Sequence, residues 1–166
     1  MSQSSHLLIY NSAFFLLKEY HKRVPKFPKQ YKYFLGGRMI ENLVDIIKLI
    51  QEANNQKSDY KRVLCIDKIS EKIDELFLYT RIAGELFLFN KPEKKEKKDK
   101  DKDKNKEKEK TTAETEESNR VYFFLSEKIA ELSRQSAGWK KYYTPQSPAF
   151  ARSEGKEMPL SAPARG

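Results

Sequence analysis

Residues Ile66, Ile69, Ile73, Leu76, Thr80, Ala83 and Phe87 stand alternately three and four apart over three heptads. That spacing returns to one face of a 3.6-residue helix and constrains this stretch to bury a single stripe. Pro92 is expected to close the helix. A second pattern runs from about Tyr31 to Ala53. Its apolar face is Leu35, Met39, Leu43, Ile46 and Ile50, widened by Ile40, Ile47 and Leu49. Arg38, Glu41, Asp45, Lys48 and Glu52 fall on the opposite side, as an amphipathic helix requires. Near the N-terminus, Leu7, Tyr10, Phe14, Leu17, His21 and Val24 form a third stripe, which Pro25 ends. A fourth begins near Ser118 and continues through Tyr122, Leu125, Ile129, Leu132, Ser136 and Trp139. Gly138 would weaken or cap its last turn. Ser58 or Asp59 is a plausible N-cap for the third helix. No segment alternates apolar and polar residues with β-branched enrichment, so strands are not expected.

Four amphipathic helices, two of the three connections being short, read as an all-α, antiparallel up-down four-helix bundle. The remaining connection is an insertion. Residues 91–117 hold eleven Lys and ten acids, with no aromatic or large aliphatic side chain. Such a run buries almost nothing and cannot offset its ordering entropy. It reads as a solvated, disordered tether, with an exposed salt-laced helix as the alternative. Residues 144–166, rich in Pro, Ser, Ala and Gly, read as a flexible tail. The expected organisation is one bundle domain over 1–143, interrupted at 91–117 and followed by that tail. In an antiparallel bundle the first turn and the insertion lie at the same end.

The most charged folded segment is Lys18–Arg38, KEYHKRVPKFPKQYKYFLGGR. It carries seven Lys/Arg (Lys18, Lys22, Arg23, Lys26, Lys29, Lys32 and Arg38) against one acid, Glu19. The lysine-rich insertion is nearly neutral by comparison, so the chain's net charge of +9 is concentrated elsewhere. A basic turn between two helices is a focused positive patch suited to phosphates or an acidic partner. The bland alternative is a solvated turn with no partner. His21, Tyr31, Tyr33 and Phe34 are interleaved with the charges. The rings of Tyr31, Tyr33 and Phe34 can stack on unpaired bases, although a Tyr beside a Pro-rich turn more often packs over the turn.

Chemistry-bearing constellations are sparse. The chain has two His, at positions 6 and 21, and one Cys, Cys65. No Glu-x-x-His pair for a di-iron bundle occurs, and Gly36-Gly37 lacks the surroundings of a phosphate-binding loop. Cys65, beside the Ile66 stripe, reads as a buried or half-buried hydrophobe. These features argue against an enzyme and give no metal site and no cofactor. Met1–Ser5 is polar and no cleavage-site pattern follows it. No run is long and apolar enough to span a membrane, so a cytoplasmic location is expected.

Three elements together resemble a known family. They are Phe27-Pro28-Lys29 with Tyr31-Lys32-Tyr33-Phe34-Leu35-Gly36, Arg38 and Leu43; Leu76 to Ala83 with Arg81 inside it; and Ile129 to Trp139 ending in Gly138-Trp139. This arrangement resembles the accessory variability determinant proteins of diversity-generating retroelements, relatives of the four-helix-bundle proteins encoded in intervening sequences of 23S ribosomal RNA genes. The resemblance implies a non-enzymatic homopentameric barrel with a basic surface. It implies as partners a reverse transcriptase, a template-repeat RNA and its cDNA, and a role in error-prone copying. Arg38 and Arg81 match family positions, each either a phosphate contact or an ion pair. Gly36 would permit close helix approach, and Trp139 would anchor the last helix. The insertion at 91–117 departs from the family, whose third and fourth helices are closely joined. The alternative is an interaction protein of the intervening-sequence type with no retroelement role.

Overall fold

The computed structural model describes residues 7–90 and 104–144, and the side chains of 7–90 and 112–144. The described residues are helical with no strand, and four long helices make the fold: α1 (Leu8–Arg23), α2 (Gly37–Asn55), α3 (Asp59–Glu85) and α4 (Lys104–Tyr143). His6, residues 91–103 of the expected tether and residues 145–166 of the expected tail lie outside the described residues.

α1 is helical as expected but turned about its axis. Its buried face is Ile9, Ala13, Leu16 and Tyr20, continued by Val24. Phe14 and His21, assigned to the stripe from spacing, are exposed, while Leu7, Tyr10 and Leu17 pack at its border. Apolar residues occupy more than one face of LIYNSAFFLL. Two adjacent stripes then satisfy the same 3–4 period, and periodicity alone cannot choose between them. Tyr20 supplies the deciding chemistry. Its ring is fully buried, and its hydroxyl reaches Thr80 on α3. Thr80 gives its own proton to the Leu76 carbonyl at 2.7 Å, so Tyr20 is the donor in the shared bond.

Pro25 ends α1 in a 3-10 turn, Val24–Lys26, and Phe27 turns its ring inward. One α-turn (Lys29–Tyr31) and one π turn (Lys32–Gly36) lead directly into α2. A Cβ on Gly36 would lie 2.5 Å from Val24 Cγ1, so the chain doubles back closely only because the side chain is missing. α2 buries Met39, Leu43, Ile46 and Ile50, the face read from spacing, with Leu35 buried just before it.

Ser58 caps α3, its hydroxyl accepting from the Lys61 backbone N–H at 3.3 Å. Arg62 ties the α2–α3 turn together. It donates to the carbonyls of Ala53 and Gln56 and pairs with Asp59 at 2.8 Å, and its guanidinium lies 4.3 Å from the Tyr143 ring of α4. α3 buries Ile66, Ile69, Ile73, Leu76, Thr80 and Ala83. Phe87 does not join them. The helix stops at Glu85, well before Pro92, in a two-bond cap in which the Leu88 N–H reaches the Ala83 carbonyl and the Phe87 N–H that of Gly84, both at 3.0 Å. Phe87 sits at φ 53° in this cap and is exposed, whereas Leu88 and Phe89 are buried. That position is normally glycine's.

α4 overturns the expected start near Ser118. It begins at Lys104, so residues 104–117 are helical rather than part of a disordered tether. Lys, Glu and Ala are strong helix formers, and no Pro or Gly interrupts 104–137. Once the apolar half is packed, adding turns requires only propagation, not a new nucleus. The helix also runs through Gly138 to Tyr143. Its buried positions are Ser118, Leu125, Ile129, Leu132 and Ser136, with Tyr122 and Trp139 partly buried against the core.

α1 packs on α2 and α4, and α3 packs on the same two helices. Asn42 meets Glu75, Asp45 meets Lys72, and Ala53 meets Arg62 between α2 and α3. Between α3 and α4, Ser70 meets Ser136 and Asp67 meets Lys140 at 2.6 Å. A Cβ on Gly84 would lie 2.6 Å from the Tyr122 ring. Phe15 meets Phe124 and approaches Lys128 between α1 and α4. One core of aliphatic side chains and Tyr20 fills the space between the four helices.

Candidate nucleic-acid interface

The eight cations singled out from the sequence fall into three groups. The first lies at the end of α1. Glu19, its side chain largely buried, holds Lys22 at 2.7 Å and Arg23 at 2.5 Å. Arg23 also donates to the Glu19 carbonyl at 2.9 Å. The Lys22 hydrogen bond leads in holding the Glu19 carboxyl below the ordinary carboxylate range; burial opposes it and Arg23 reinforces it. Lys22, Arg23 and Lys26 line an open groove of about 280 Å³ with Leu88, Phe89 and Asn90 from the turn after α3 and Glu117 and Val121 from α4. The α1–α2 turn and the start of the packed part of α4 therefore meet at one end of the molecule. On its other side Arg23 faces Ala113, Glu116, Glu117 and Arg120 in a second, wider recess. Glu117 thus lines the basic groove and Glu116 the recess beside it, an arrangement that a free tether would not produce.

The second group has no acid partner among the described residues. Lys18, Lys26, Lys29, Lys32 and Arg38 form no ion pair there, and all but the half-buried Lys32 are exposed. Three of the five lie on aromatic rings instead. Lys18 Nζ is 4.7 Å from the centroid of Phe14, Lys32 Nζ 5.8 Å from Tyr33, and Arg38 Cζ 4.9 Å from Phe34. These contacts hold the cations without neutralising them. Arg38 stands apart from the groove, and its other neighbours are Glu41, Asn42, Asp45, Lys72, Glu75 and Tyr79 between α2 and α3.

Arg81 is the third case. It is exposed on α3 and pairs with Glu85 one turn on, at 3.0 Å. It does not line the groove. The sequence reading missed the Leu88–Asn90 wall and the part played by Glu117. Neither has a local signal, since each reaches the groove through the packing of a distant helix.

Two further features bear on chemistry. Cys65 is buried, and desolvation, with Glu52 nearby, pushes its thiol up, which makes it a poor nucleophile. Among the described residues no three His, Cys, Asp or Glu side chains converge, and no helix is long and apolar enough to cross a membrane. No protein-family model, curated protein or solved structure matches the chain.

Proposed function

We propose that this chain is a non-catalytic accessory subunit of a diversity-generating retroelement. In this reading it binds a reverse transcriptase and its RNA and cDNA through the basic end of the bundle and supports mutagenic cDNA synthesis. The observation that carries the nucleic-acid part is the set of five cations with no ion pair among the described residues, Lys18, Lys26, Lys29, Lys32 and Arg38, around one inter-helix turn. Cations already committed to carboxylates gain little from a phosphate, whereas uncommitted ones displace counterions and bind without reading sequence. The retroelement part rests on the three sequence elements around Phe27–Leu43, Leu76–Ala83 and Ile129–Trp139. The cross-helix pairings, in which residue numbers rise on one helix as they fall on its neighbour, support an antiparallel up-down topology. A closed homopentamer, cytoplasmic and acting as an electrostatic scaffold, would multiply the patch. An exposed apolar stripe, Phe77, Leu78 and Ile82 on α3 with Leu86 just past its end, suits such self-association. The same stripe equally favours a second reading, an intervening-sequence-type interaction module with no retroelement role.

The test replaces Lys18, Lys26, Lys29 and Lys32 together by Glu, all outside the Glu19 cluster. Helicity is expected to stay, while RNA affinity collapses and its dependence on salt flattens by roughly 0.7–0.9 for each phosphate no longer neutralised. Unchanged affinity at moderate salt would sink the nucleic-acid reading. Absence of an adjacent reverse-transcriptase gene, or failure of the wild-type chain to co-purify with the enzyme such a gene encodes, would leave the interaction-module reading.

A further inference from the structure

We infer that the π turn Lys32–Gly36 is a stacking site for unpaired nucleobases, selecting single-stranded over duplex nucleic acid; this rests on the basic-surface reading above. Three aromatics cluster at the turn and they are treated differently. Tyr31 packs against the core, as a ring beside a proline-rich turn usually does. Tyr33 and Phe34 do not, and are 73% and 65% exposed. Each has a cation near its ring, Lys32 for Tyr33 and Arg38 for Phe34. Lys29 is exposed within the same short stretch and has no acid partner among the described residues.

An exposed ring with a cation beside it matches both halves of a nucleotide. The base is flat and apolar on its faces and stacks on the ring, while its phosphate meets the lysine or arginine. In a duplex those faces are already stacked on neighbouring pairs, so only an unpaired strand can use the site. The turn type is consistent with this use. A π turn is a local widening that seldom persists in a helix without a functional reason, and here it carries both rings. RNA and DNA strands present the same base faces, so the chemistry admits either.

The test is fluorescence anisotropy with a labelled oligouridylate, the matching oligothymidylate and a duplex of equal length. The wild-type chain is compared with Tyr33→Ala/Phe34→Ala and with the ring-conserving Tyr33→Phe/Phe34→Tyr. Both rings are exposed, so thermal unfolding should be unchanged in either variant. The alanine pair is expected to lose at least about 10-fold for single strands and under about 2-fold for duplex, with the salt slope unaltered. The ring-conserving pair keeps wild-type affinity. The RNA and DNA arms show whether the site serves template, cDNA or both. Equal losses on single strands and duplex, or no loss at all, overturn the stacking site while leaving the basic surface standing. A wild-type chain that binds none of the three ligands overturns both.

Discussion

Glu19 is the lone acid of the basic segment, and its buried carboxylate organises two of the seven cations. Its folded pKa lies below the ordinary value of 4.5. Its stabilisation is therefore fully present above about pH 4.5 and is lost as pH falls through the lower folded value. Glu19→Gln is expected to destabilise the chain by about 1–2 kcal/mol at pH 7. The difference from wild type should shrink in denaturant titrations as the pH is lowered below 4.5, and a gap independent of pH would refute the assignment. Phe87 offers the opposite case. It occupies a left-handed position that costs a non-glycine residue about 1–2 kcal/mol, and about half of the residue is covered by its neighbours. Phe87→Gly removes that strain but gives up the burial of the ring's covered half, so the two nearly cancel and the unfolding midpoint in urea should move by less than the equivalent of about 1 kcal/mol. At this scale the sequence was readable in part. Glu19 stands three and four residues from Lys22 and Arg23, so their pairing follows from helix geometry. That Lys26 shares a wall with Leu88, Phe89 and Asn90 does not, because those neighbours come together only when α3 and α1 finish at the same end.

Among the elements, α2 was legible because its apolar residues gather on one broad face; in α3 the 3–4 spacing from Ile66 to Ala83 picked out the buried stripe, although Phe77, Leu78 and Ile82 add apolar residues outside it. α1 was not, since its apolar residues exceed one stripe and the choice rests on the Tyr20–Thr80 bond across the bundle. Over residues 104–117 the leading expectation of a tether gave way to its helical alternative, because a hydrophobic-pattern argument is blind to a helix favoured by propensity and continuation. The α3–α4 seam depends on a missing atom. A Cβ at Gly84 meets the Tyr122 ring at 2.6 Å. Alanine would gain about 1 kcal/mol in helix propensity, but forcing α3 from α4 costs about 1–3 kcal/mol. Gly84→Ala should therefore lower the melting temperature, and truncating Tyr122 in the same chain should remove much of the clash. A rise in the melting temperature of the single variant would show that the two helices can separate without penalty.

For the molecule as a whole, the proposed assembly predicts a discrete mass. Freed of nucleic acid, the chain should run in solution at about five times its 19.5 kDa, since closed rings come in whole numbers of copies. A monomer or dimer would favour the interaction-module reading. The lengths of the helices add one more property. α4 has 40 residues and α3 has 27, or roughly 60 Å against 40 Å at 1.5 Å per residue. The excess lies before Ser118, at the end that holds the α1–α2 turn. The opposite end is a short loop gripped by Arg62. The two ends are therefore chemically unlike. A ring built by rotating this subunit about an axis parallel to its helices would have two unlike faces, with every protruding spine and every basic turn on one rim and every Arg62-clasped loop on the other. A strand engaging such an assembly could tell its front from its back.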